Sequence, residues 1–181
     1  SQTFDLGRGS ADMESIASRV ALNAFLYVDN DVLIANARTE TSNDEAFAYY
    51  EKAARMDPSG EEADTHQVGE DQAMINLDRA IELDPEFPEP YLERAFHVSE
   101  RKEQRRLIDR YLALRPGSAM GQTFLGILKN IDGDLAAAEQ TFKHARELDP
   151  DLPWPISNLG HLAMQRGHAQ EAADYYKQST L

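Results

Sequence analysis

One phrase recurs three times in this chain: an Ala, three residues, a bulky apolar residue, two residues, an Ala, four residues and a Pro. It reads Ala46-Tyr50-Ala53-Pro58, then Ala73-Leu77-Ala80-Pro85, then Ala138-Phe142-Ala145-Pro150. Steps of four and three put the first three residues of each copy on one face of a helix. The small Ala residues let a neighbouring helix approach, and the bulky residue fills the gap between them. The Pro stops the helix, because it has no amide donor and restricts the residue before it. A chain built this way is a stack of close-packed helices.

A longer period supports that reading. A shift of 34 residues lays Pro116 on Pro150, Leu125 on Leu159, Gly126 on Gly160 and Leu128 on Leu162. The same shift pairs Gly133 with Gly167, Ala138 with Ala172, Lys143 with Lys177 and Phe142 with Tyr176. Gly133 and Gly167 fall where a tight turn between two helices needs a permissive backbone. Each unit is therefore helix, glycine turn, helix, proline stop.

Those residues resemble the tetratricopeptide repeat, whose pattern is W-x2-L-G-x2-Y, then A-x3-F, then P. The best units here are Leu125-Gly126 with Ala138-x3-Phe142 and Pro150, and Leu159-Gly160 with Ala172-x3-Tyr176. Gln122 and Ile156 stand where the family opens on Trp, and Lys129 and Ala163 where it has Tyr. Between 85 and 116 the match is degenerate, with Gln104 and Tyr111 in place of small Ala residues. From 58 to 85 only a second helix matches; from 44 to 58 a second helix follows a first helix near 30–40. The resemblance covers about three quarters of the chain. It implies an all-α, right-handed superhelix of antiparallel helix pairs.

The expected organisation is a disordered tail over 1–10, N-terminal helices over 11–58, an acidic loop over 59–72 and repeats over 73–181. The stretch 11–27 places Ile16, Val20, Ala24 and Tyr27 on one face, as a capping helix needs. The stretch 59–72, "SGEEADTHQVGEDQ", has two glycines and five acidic groups and reads as a solvated loop. The last helix runs to Leu181 without a stop Pro, which leaves a stacking face bare. Either the chain is a fragment, as its opening Ser1 in place of Met also suggests, or that end pairs with another subunit.

Charge narrows the partners. The formal net charge is −14, which disfavours phosphate backbones and anionic lipid surfaces. No apolar run approaches the ~20 residues that span a bilayer, so no membrane insertion is expected and the chain reads as soluble, cytoplasmic ahead of periplasmic. The chain has no cysteine, which removes disulfides, thiolate metal sites and cysteine nucleophiles. Its five histidines show no metal-ligand spacing, and no serine or lysine sits in a catalytic frame. No catalytic residue, metal or cofactor is assigned.

What remains is binding. In the family, the first helix of each unit lines a concave groove that holds an extended peptide or a helix. The resemblance places Glu89, Leu92 and Phe96 on that side in one unit, and Met120, Thr123, Ile127 and Asn130 in the next. Trp154, Ser157, His161 and Met164 follow in the last. Each apolar member reads equally as packing between helices. A two-carboxylate clamp for acidic C-terminal tails is disfavoured, since Leu92, Phe96, Phe124 and Trp154 replace the polar groups it needs and only Asn158 fits. Residues 94–115 form a basic island, with Lys102, Arg106 and Arg110 spaced by four on one helix face. They either dock an acidic partner or, as the weakness of exposed pairs favours, complement the chain's own acidic stretch at 61–71. The expected function is a scaffold or adaptor for a protein or peptide partner. The alternatives are a non-catalytic module of a larger enzyme, such as a transferase, or a homo-oligomer assembled through the C-terminal helix.

Overall fold

The computed structural model describes residues 30–55 and 63–179. Nine helices and no strand occur among the described residues. They are α1 (Asn30–Ala37), α2 (Asp44–Ala54), α3 (Ala63–Leu83), α4 (Glu89–His97), α5 (Arg101–Leu114), α6 (Ala119–Ile131), α7 (Leu135–Leu148), α8 (Pro153–Gln165) and α9 (Ala169–Gln178). The tail at 1–10 and the amphipathic stretch at 11–27 lie outside the described residues.

Helix starts follow capping chemistry. The Oδ1 of Asn43 accepts from the amides of Glu45 and Ala46 ahead of α2, and Ser118 Oγ accepts from Gly121 N ahead of α6. Asp134 Oδ1 accepts from Ala137 N ahead of α7. Each bond satisfies an amide that has no partner within the helix. The two glycine turns are alike in their bonding. Gly133 (φ 82°) donates to Asn130 O while Asp134 N donates to Lys129 O, and Gly167 (φ 78°) donates to Met164 O while His168 N donates to Ala163 O. This is the left-handed glycine cap that a non-glycine residue enters only with strain.

Four antiparallel pairs result: α2 with α3, α4 with α5, α6 with α7, and α8 with α9. First helices also touch along the stack, α2 on α4 and α6 on α8. The repeated phrase does the packing. Phe142 of α7 lies on Gly126 of α6, and Tyr176 of α9 lies on Gly160 of α8 at the equivalent place. Between pairs, the ring of Tyr111 on α5 lies on Gly121 of α6.

Two expectations are corrected. The stretch expected as an acidic loop at 59–72 is helical from Ala63 onward, as the first turns of α3. Charge and an isolated Gly69 point to a loop, but a solvated helix carries charge equally well, and one interior glycine costs only about 1 kcal/mol. The unit ending at Pro85, read from sequence as lacking a first helix, has one. Helix α2 fills that place, with Ala46, Tyr50 and Ala53 in one apolar core with Ala73, Leu77 and Ala80 of α3. Asn43 Nδ2 donates to Leu83 O at 2.9 Å, which joins the start of α2 to the end of α3. At the other end of the stack, α9 closes at Gln178 with Ser179 as its cap.

The apolar interior divides in two. One core joins α1, α2, α3 and Phe87. The other runs through α4 to α8, with Tyr91, Leu107, Ile108, Phe124, Phe142 and Leu162 among its members. Ion pairs cross the seam: Arg94 with Asp78, Arg110 with Glu86, and Arg115 with Glu40.

Candidate peptide-binding surface

Helices α4, α6 and α8 carry the residues expected to line a groove. Leu92, Ile127 and Trp154 are buried in the second core, and Thr123 is fully buried with its hydroxyl donated to Ala119 O at 2.7 Å. These four act as packing residues. Phe96, Met120, Asn130, Ser157 and His161 are half-buried, and Met164 is 51% exposed. Phe96 meets Phe124 edge to face with centroids 4.4 Å apart, which fixes α4 against α6. Ser157 Oγ donates to Pro153 O, and Asn158 Nδ2 donates to Trp154 O, so both side chains fold back on their own helix. His161 Nε2 is 2.9 Å from the side-chain amide of Gln165.

The polar groups of this surface gather on α4. Glu89 and Glu93 are one turn apart, hence on one side of the helix. Both lie close enough to Tyr50 of α2 to push its phenol pKa up, after the larger effect of burial. Glu89 Oε1 accepts from Arg115 Nη1 at 2.6 Å, and Arg115 Nη2 reaches Glu40 Oε1 at 2.9 Å. Burial outweighs the guanidinium and raises the Glu89 carboxyl to about 7. Sequence reasoning placed Glu89 on this side but missed Glu93, Arg115 and Glu40. Their signal was the i, i+4 spacing of the two carboxylates; the link to Glu40 spans too much sequence to be read from spacing.

The basic island is already occupied. Arg106 donates twice to Glu103, and Arg110 donates to Glu86 Oε1 at 2.7 Å and to Pro85 O at 2.8 Å. Arg101 reaches Asp132 and Arg105 reaches Asp109. Lys102 is exposed. Among the described acids, Glu103, Asp109, Asp132 and Glu86 complement the island, while the acidic side chains at 61–70 lie outside what the structure describes. Among the described residues no group of three His, Asp or Glu side chains is placed to hold a metal. No helix among them is long and apolar enough to cross a membrane.

Solved structures share this arrangement of helices. The protein MamA (residues 41 to the end) from Desulfovibrio magneticus RS-1 matches 93% of this chain and 94% of its own at 14% identity, with a TM-score of 0.57. A thermophilic tetratricopeptide-repeat protein of Thermus thermophilus matches 92% and 89% at 16% identity, with a TM-score of 0.59. The chain has the tetratricopeptide-repeat fold. The first tetratricopeptide-repeat domain of Spaghetti (RPAP3), solved with the HSP90 peptide SRMEEVD, matches 71% of this chain and 98% of its own at 16% identity, with a TM-score of 0.57. No protein-family model matches the sequence, and no curated protein matches it. The tetratricopeptide-repeat arrangement is thus carried by structure, with little sequence in common.

Proposed function

We propose that this chain is a non-catalytic interaction module whose first helices hold an extended peptide or a helix of a partner protein. The observation that carries the reading is the line of half-buried side chains on successive first helices: Phe96, Met120, Asn130, His161 and the exposed Met164. Apolar contact area with a few fixed polar groups is what recognition of a peptide requires. The neighbour holding SRMEEVD supports peptide binding as a use to which this fold is put. The surface works by being preorganised: Ser157 and Asn158 are bonded to their own helix and Phe96 is locked against Phe124, so little ordering cost remains at binding.

The test is an array of short synthetic peptides of acidic, neutral and basic composition. Retained peptides are then titrated by fluorescence anisotropy against the chain and a Met164→Glu, His161→Ala double variant. Saturable binding weakened about tenfold or more in the variant supports the groove. Binding that the variant leaves unchanged places the contact elsewhere.

A second reading has its own observation. Among the described residues five large apolar side chains are exposed, and three of them, Leu148, Met164 and Tyr176, belong to the last three helices. Self-association through that end is the rival outcome, read as a mass that rises with concentration.

A further inference from the structure

We propose that the groove takes a basic peptide segment, with Glu89 and Glu93 of α4 as the carboxylates that receive its cationic side chain. This deepens the peptide-binding reading and rests on it.

Two buried side-chain polar atoms among the described residues have no hydrogen-bond partner, Glu89 Oε2 and Asn130 Oδ1. Asn130 Oδ1 is an acceptor, as is Glu89 Oε2 in the ionised carboxylate, and the two lie on first helices, α4 and α6, at positions that the repeat register assigns to the groove. A buried acceptor without a donor is costly, so a ligand that brings an N–H donor to it is favoured. A guanidinium or ammonium group offers only donors, whereas an acidic peptide side chain brings further acceptors.

The local charge points the same way. The cation on this side, Arg115, divides its two arms between Glu89 and Glu40, so it neutralises one of those two carboxylates. Glu93 adds a third carboxylate one turn along α4. Its partner, His97 Nε2, is 3.6 Å away, beyond hydrogen-bond reach. Arg94, the arginine of α4, is turned to the other side, where it binds Asp78 of α3 and Glu103 of α5. Among the described side chains, 31–55 and 71–93 hold 12 acidic and 4 basic groups, which sets a negative field around this half of the stack. Beside the carboxylates, the Phe96 ring offers an apolar surface along which the methylene stem of an Arg or Lys can lie.

The experiment uses the intact chain and three labelled peptides that alternate Leu with Arg, Ser or Glu, titrated by anisotropy at fixed salt. The expected result is that the Arg–Leu peptide binds at least about tenfold more tightly than the Ser–Leu peptide, as a hydrogen bond to a charged group provides, while the Glu–Leu peptide does not bind. Glu93→Gln, which keeps the Arg115 contacts, should weaken the Arg–Leu peptide about tenfold. Glu147→Gln on the outer surface of α7 should change it less than about twofold, because an exposed charge there is worth little. Equal loss from both variants would reduce the binding to general charge attraction and overturn the proposal. Equal binding of all three peptides would overturn it while leaving a peptide groove in place. Binding of none would overturn both.

Discussion

The ring of Phe142 lies so close to Gly126 that a methyl group on that glycine would sit 2.5 Å from the ring's Cε1. The same contact recurs 34 residues on, where a methyl on Gly160 would meet Tyr176 Cε1 at 2.8 Å. What surrounds the two rings differs. Phe142 is fully buried, whereas Tyr176 is 40% exposed. Gly126→Ala should therefore cost about 1–3 kcal/mol, since the ring has nowhere to go. Gly160→Ala should cost less than about 1 kcal/mol, because Tyr176 can swing outward. Urea denaturation of both variants measures the difference, and equal losses would contradict it.

Glu89 and Glu103 give opposing pH dependences. The folded Glu89 carboxyl is raised from 4.5 to about 7 by burial, so between those values the folded chain holds a proton that the unfolded chain has released. Its contribution is fully present below about 4.5 and is lost as pH rises through about 7. Glu103, bonded by Arg106 and Arg94, is lowered from 4.5 to about 2. Its contribution is present above about 4.5 and is lost as pH falls toward 2. Stability from these two groups therefore peaks near the ordinary carboxylate range. Thermal melts across pH 4 to 8 should show a decline that Glu89→Gln flattens. An unchanged slope in that variant would remove Glu89 as the cause.

Arg115 is the guanidinium that joins the α1–α2 connection, through Glu40, to the start of α4, through Glu89. Arg115→Met should cost about 1–3 kcal/mol, because it strands a nearly buried carboxylate. Adding Glu89→Gln should recover part of that loss, which a double-mutant cycle would read as coupling. Additive losses would mean the contact contributes nothing.

Leu159 and Tyr176 separate folding from association. Leu159 is 3% exposed in the core, and Leu159→Glu should cost more than about 4 kcal/mol and unfold the last pair. Tyr176→Glu, at a half-exposed ring, should keep helix content by circular dichroism. If light scattering finds a concentration-dependent mass in the parent chain that Tyr176→Glu abolishes, the end of the stack is an interface. A monomer at every concentration would discard that reading.

The helical repeat was legible because its signals are local. Ala–bulky–Ala spacing, turn Gly133 and Gly167, and stop Pro each act within one turn or one connection, so they survive in a single sequence. The pairing of α2 with α3 was not legible, because both helices carry the same second-helix phrase and only packing decides which faces which. The first turns of α3 were missed for a related reason: composition reports solvation, and a solvated helix and a loop have the same composition. In the groove, burial defeated the spacing argument. Thr123 shares the register of lining residues, yet it is fully buried and its hydroxyl bonds its own helix.

The division of the interior into two cores has a thermodynamic consequence. Separate apolar clusters lie on either side of Pro85–Pro88, bridged by Ile81 of α3, which packs on the second, and by the ion pairs of Arg94, Arg110 and Arg115, so each half has a core of its own to lose. Heating should then produce two calorimetric transitions, the N-terminal one sensitive to salt through its bridging pairs. A ligand seated across α2, α4 and α6 would touch both halves at once. Its binding energy would act as a cooperativity term, drawing the two melting events together, and the peptide would complete a unit that the chain alone leaves in two pieces.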